Sequence, residues 1–210
     1  MLGREVQDLG AIGADSVMDR RFARLSRTTP SPGGTAAVPD DGMCLSVFLV
    51  LRSPDDPKRV LLGRVDPSAP WGEVGGLDPG RLARVGSGWM LPARQLLLFE
   101  GPAEAARVIA REQLDSELPV VWGPAVFSET YRRPGSSAAD PHWDIHFVFE
   151  GRWPSPTPPS SRMWQELAFV DVARTPRSEI ARGQGDVLEL VGLVPADDSA
   201  VSASERTRRP

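Results

Sequence analysis

Cysteine is almost absent: Cys44 stands alone in a chain of 210 residues. An intrachain disulfide is therefore excluded, and so is a zinc site built on cysteines. Lysine is as scarce, with Lys58 the sole example. The cationic side chains are otherwise arginines, which suit bidentate contacts with phosphate or carboxylate. Only two histidines, His142 and His146, are available for proton transfer near neutral pH. Long apolar runs are missing too. The longest, residues 44–51, is far too short to span a bilayer. The opening Met-Leu-Gly-Arg-Glu-Val-Gln-Asp is charged and lacks the apolar stretch of a secretory signal. A net charge of −4 and a pI near 5.3 give no general attraction to nucleic acid or anionic membrane. Together these absences predict a cytoplasmic protein whose partners are neither nucleic acid nor membrane.

What is present suffices for one ordinary domain with appendages. Hydrophobic residues make up 40% of the chain, and the mean hydropathy is −0.24. Glycine (20) and proline (21) together form about a fifth of it, which demands long loops. Residues 1–42 read as an N-terminal extension: a short helix from Asp15 or Ser16 to Leu25, then a Pro/Gly linker. Residues 195–210 are small, polar and charged and read as a disordered tail. The domain is expected over 43–194. Strands are predicted at 43–52, 59–65, 120–131, 143–153 and 166–172, with extended chain at 89–92 and 95–99. A long loop fills 66–88. The clearest helix begins at Pro102 and is expected to run to 118, where Pro119 stops it. A closing helix is expected over 185–194. Strands flanking one early and one late helix make a mixed sheet covered on both sides, an α+β arrangement.

The helix from Pro102 carries the chemistry-bearing residues. At 100° per residue, Glu104, Arg107, Arg111 and Asp115 share one face, and Glu112 lies beside it. Glu112 and Asp115 are one helical turn apart, so their carboxylates can converge and hold Mg²⁺ or Mn²⁺. A solvated face of paired charges accounts for the same spacing. His142, Asp144 and His146 alternate on one strand face, but its two histidines stand too far apart to share one ion. His146 suits a general base. Trp71, in the Gly-rich loop, could stack on a base or sugar ring, or pack that loop onto the body.

The order hairpin, Trp89-Met-Leu-Pro92, strand, and helix ending Arg111-Glu112-Gln113-Leu114-Asp115-Ser116 resembles a Nudix domain. That family's motif follows a Trp-x-x-Pro-Gly-Gly lead-in. It places a Gly and a Glu ahead of Arg-Glu-apolar-x-Glu-Glu-x-Gly. Here Ala93-Arg94 stands at the Gly-Gly, and Glu100 and Glu104 lie near the early Glu. One register sets Arg111-Glu112 on Arg-Glu, with Asp115 and Ser116 on the closing pair. Another sets Gln113-Leu114-Asp115 on the final Glu-x-Gly. Either way a metal carboxylate has been lost. The GDP-mannose mannosyl hydrolase branch is more specifically similar, with Arg94 after the Pro and a late-strand histidine resembling His146-Phe147-Val148. The resemblance implies an α/β (α+β) Nudix-like α/β/α sandwich with a mixed sheet. It implies hydrolysis of a phosphorylated small molecule or nucleotide-sugar, with Mg²⁺ (or Mn²⁺) on Glu112 and Asp115. Arg94 and Arg111 would orient phosphates, and His146 would be the base. A catalytically silent ligand- or partner-binding regulatory module is the rival reading, and a homodimer is left open.

Overall fold

The computed structural model describes residues 43–74, 77, 79–97, 99–132, 141–181 and 184–194. The expected N-terminal extension and C-terminal tail lie outside them. The strands are β1 (Met43–Arg52), β2 (Arg59–Val65), β3 (Ala93–Gln95), β4 (Val121–Arg132), β5 (Pro141–Arg152) and β6 (Trp164–Asp171). The helices are α1 (Trp71–Val74), α2 (Pro79–Val85), α3 (Pro102–Gln113) and α4 (Gly185–Leu190). Two short 3₁₀ turns, Val172–Arg174 and Arg177–Glu179, join β6 to α4. The sheet runs β4-β5-β1-β2-β6, with β3 also on β1. The β1–β5 pair is parallel and the other pairs are antiparallel. Among the described residues no helix is long and apolar enough to cross a membrane.

Alternation along β1 divides the core, as a two-residue period requires. Val47, Leu49 and Leu51 face α3 and pack with Ala105, Ala106 and Ile109. Phe48 and Val50 face the other side and pack with Val187 and Leu188 of α4. The alanines let α3 approach the sheet closely. Gly101 precedes Pro102 at the helix start, where a missing N–H costs no hydrogen bond. The helix stops earlier than residue 118. Asp115 takes a left-handed φ of 47°, and the Ser116 N–H returns to the Ala110 carbonyl. Such a stop normally uses glycine.

β1 and β2 pair directly only near their hairpin, at Arg52 and Val60. Beyond it they splay, and residues 89–96 fill the gap. Gly63 exchanges both backbone hydrogen bonds with Met90, while Leu49 N–H reaches the Pro92 carbonyl. The expected loop at 66–88 instead holds α1 and α2. They cover a third cluster in which Trp71 meets Trp164 edge-on at 4.7 Å. At the far edge, β4 carries a bulge between Trp122 and Ala125 that includes Pro124. Trp122 and Val126 on that strand are exposed.

A Cβ on Gly63 would lie 2.2–2.7 Å from the Trp164 ring. Gly63→Ala should therefore overpack the third cluster and cost about 1–3 kcal/mol. Denaturant unfolding should show this as a lower midpoint with an unchanged slope.

Candidate functional site

The segment leading into β3 is held from both faces of the sheet. In an antiparallel ladder, alternate residues turn their backbone groups away from the partner strand. Phe48 faces Ala93 across the β1–β3 pair, while Leu49 and Leu45 bond Pro92 and Leu96. The Ala93 N–H and carbonyl therefore point away from β1. Gln113, fully buried at the last position of α3, satisfies both. Its Oε1 accepts from the Ala93 N–H at 3.2 Å, and its Nε2 donates to the Ala93 carbonyl at 2.8 Å. The Gln113 carbonyl also accepts from Trp164 Nε1 at 2.7 Å. On the α4 side, buried Gln184 accepts from the Leu91 N–H at 3.0 Å.

Because Ala93 packs into the α4 cluster, the next side chain, Arg94, turns to the α3 side. There it borders a cavity of about 630 Å³ between β3, the 97–100 turn, α1 and the end of α3. Arg94, Glu100, Arg111, Glu112, Asp115 and Arg162 supply its charges. Arg94 and Glu100 are buried, with side chains 6% and 9% exposed, and lie 3.4 Å apart. Glu100 also accepts from the Leu97 N–H at 2.9 Å. Arg111 and Glu112 pair at 3.3 Å on the solvent side. The turn that leads toward α1 is set by Asp66. The Ser68 hydroxyl and N–H both donate to its carboxylate and hold its pKa below the usual value.

Four of the residues singled out from sequence, Arg94, Arg111, Glu112 and Asp115, thus share one cavity. Two do not join them. Trp71 is fully buried, with its Nε1 donating to the Asp66 carbonyl and its ring against Trp164, so it offers no face to a ligand. The packing role is the one it fills. His146 lies on β5 with the parity of Val148, which packs on the α4 side, whereas Phe147 and Phe149 face α3. Its ring sits edge-on to Phe48 at 5.1 Å. The sheet stands between His146 and Glu112, so the expected base and metal carboxylate are not brought together. Arg162, in the loop ahead of β6, and Gln113 were not foreseen. No pattern in the Pro/Ser loop marks Arg162.

The carboxylates do not fit a hard dication well. Glu100 is held by Arg94 and Leu97, and Glu112 is paired with Arg111. Among the described residues no three His, Cys, Asp or Glu side chains group as a ligand set. The negative and positive groups instead balance, three against three. A site of this kind can hold anionic oxygens through Arg111 and Arg162 without first binding a metal.

A mixed sheet with one parallel central pair, a Trp89–Pro92 segment wedged beside β1, and a helix crossing from it over one face match the parts of the motif. The described fold is the mixed-sheet arrangement that the resemblance to a Nudix domain implies, and α3 has no Glu-Glu pair. No protein-family model matches the chain. A MutT Nudix hydrolase from Burkholderia pseudomallei is 15% identical, with 71% of this chain and 98% of that one covered, at a TM-score of 0.48. The Nudix domain of Shewanella oneidensis NrtR, solved with ADP ribose, is 15% identical (78% and 92% covered, TM-score 0.46). DR0079 from Deinococcus radiodurans is 17% identical (81% and 97% covered, TM-score 0.49). By sequence, a curated relative of another class is the threonylcarbamoyl-AMP synthase of Chromohalobacter salexigens. It is 31% identical over 147 residues, 60% of this chain and 78% of that protein.

Gln113→Glu should destabilise the protein by about 1–3 kcal/mol or more at neutral pH, because an ionised carboxylate cannot donate to the Ala93 carbonyl. Burial raises the folded-state pKa of such a group above its unfolded value. The variant's deficit should therefore shrink as pH falls and the protonated acid regains a donor. Urea midpoints at about pH 7 and about pH 5 check the sign.

Proposed function

We propose that the cavity beside α3 binds a phosphorylated small molecule, and that the protein works as a ligand-binding Nudix module. The observation that carries this is the convergence of Arg94, Arg111 and Arg162 on one cavity of about 630 Å³. Arg94 is buried against Glu100, whereas Arg111, with Glu112 beside it, and Arg162 are exposed, so these two are the phosphate contacts. The second register of the motif is supported by the left-handed Asp115, which sits where the closing glycine would. In that register the Arg-Glu pair falls on Val108-Ile109 and the Glu-Glu pair on Glu112-Gln113. Ile109 is fully buried and Gln113 is engaged with Ala93, which leaves Glu112 as the one carboxylate of the set. A single carboxylate is a weak basis for metal-dependent turnover.

The hydrolase reading keeps Mg²⁺ or Mn²⁺ on Glu112 and Asp115 and a nucleotide-sugar as substrate. What favours it is that both carboxylates line the same cavity as the arginines. Calorimetry with inorganic pyrophosphate, ADP, ADP-ribose and GDP-mannose, with and without Mg²⁺, separates the readings. Binding should occur without Mg²⁺, and Arg111→Ala and Arg162→Ala should each weaken it by about 10–100-fold, the worth of a charged hydrogen bond. Glu112→Gln should leave affinity intact or raise it. Failure of all four ligands to bind below about 1 mM removes the proposal. Mg²⁺-dependent turnover lost in Glu112→Gln puts the hydrolase first. Formation of threonylcarbamoyl-AMP would instead carry over the curated relative's activity.

A further inference from the structure

We propose that an apolar corner of the sheet, formed by Leu45, Ile145, Phe147 and Val126, is a docking surface for this chain's own residues 16–25. The inference is independent of the phosphate reading. Register and parity place the corner. Val47 faces α3, Phe147 stands beside it on β5, and Val126 stands beside Phe147 on β4. Two residues back along β1, Leu45 keeps that face, with Ile145 as its partner on β5. α3 lies over β1 and β3, and exposure rises away from it. Along one row Val47 is fully buried, Phe147 is partly buried and Val126 is 58% exposed. Leu45 and Ile145 are partly buried too. A sheet face normally buries such residues under a second layer. On the opposite face that layer exists: Val187 and Leu188 of α4 cover Phe48 and Val148.

The occupant follows from the apolar sequence left over and from where the chain enters. Residues 133–140 hold no large apolar side chain, and residues 195–210 hold one, Val201. Residues 16–25 hold Val17, Met18, Phe22 and Leu25, and the last three recur at the i, i+4, i+7 spacing of a helix stripe. Arg20, Arg21 and Arg24 fall between them, which leaves the stripe as the side for an apolar surface. A helix of this length gains its stability from the surface that takes its stripe, since alone it is marginal in water. Met43 opens β1 only two positions from Leu45, so the preceding chain arrives at this corner. Residues 26–42 make a connection of 17 residues, which spans about 55 Å at full extension. The corner crosses three neighbouring strands, about 10 Å. Pro30, Pro32 and Pro39 in the connection bar a helix from running on into β1.

Amide hydrogen exchange on the full chain is the experiment. In native protein the amides of residues 18–25 should exchange about 10–100-fold more slowly than in an unstructured chain. Phe22→Asp and Val126→Asp should each abolish that protection, because each places a charge in the contact, while β1 and α3 keep theirs. Combining the two should remove nothing more, since both break one interaction. Val126→Leu should keep the protection. If Val126→Asp also exposes β1, the near-isosteric Val126→Thr takes its place and should lower the protection with β1 intact. Free exchange of residues 18–25 in native protein overturns the inference. Protection that survives Phe22→Asp, or that survives a folded Val126 variant bearing Asp or Thr, places the segment elsewhere and overturns it. Protection lost on dilution together with a dimer-to-monomer change in sedimentation gives the corner to a second copy, which also overturns it.

Discussion

The amide of Gln113 is the joint on which this structure turns. It closes α3, caps the two backbone groups of Ala93 that β1 cannot reach, and through its own carbonyl receives the Trp164 indole. Three elements from distant parts of the chain (β3, α3 and β6) meet at one fully buried residue. An amide is suited to this because it donates and accepts at once, as a strand's peptide group does. A carboxylate cannot. In the second register, Gln113 stands where the resemblance would place a carboxylate, and here it is a structural fastening.

That substitution fits the cavity's other adjustments. Arg94 stands where a small residue is expected, and its guanidinium is balanced by Glu100 in a buried pair. Burying two charges is tolerable only when they are paired and further hydrogen-bonded, and Glu100 meets this with the Leu97 N–H. The result is a buried, charge-paired wall with two exposed arginines, Arg111 and Arg162, on its open side.

Much of the fold was legible in the sequence, for reasons that can be named. β1 and β2 are dense in Val and Leu and bounded by a turn cluster, so their limits coincide with the expected ones. Pro102 marked the start of α3 because proline suits that position alone. Its end was hidden: Leu114 continues the apolar stripe and is fully buried, and Pro119 was the visible stop, but the backbone reverses at Asp115. α1 and α2 span four and seven residues, too short for a 3.6-residue period to show. Arg94, Arg111, Glu112 and Asp115, singled out through motif spacing, line one cavity. The face His146 takes was hidden, because strand parity decides it and β5 is apolar on both sides. For Trp71 stacking and packing both stayed open, because its packing partner, Trp164, is remote in sequence.

The outer strand has a consequence for how copies of this protein coexist. β4 is twelve residues long and lies at the margin of the sheet, with exposed Trp122 and Val126. A long, apolar, unpaired margin is a template for runaway strand addition. Pro124 has no N–H to offer an incoming strand, and the bulge between Trp122 and Ala125 bends the margin where it is stickiest. Among the described residues, the irregularity that interrupts the ladder thus makes this edge a poorer template for strand addition than an unbroken one.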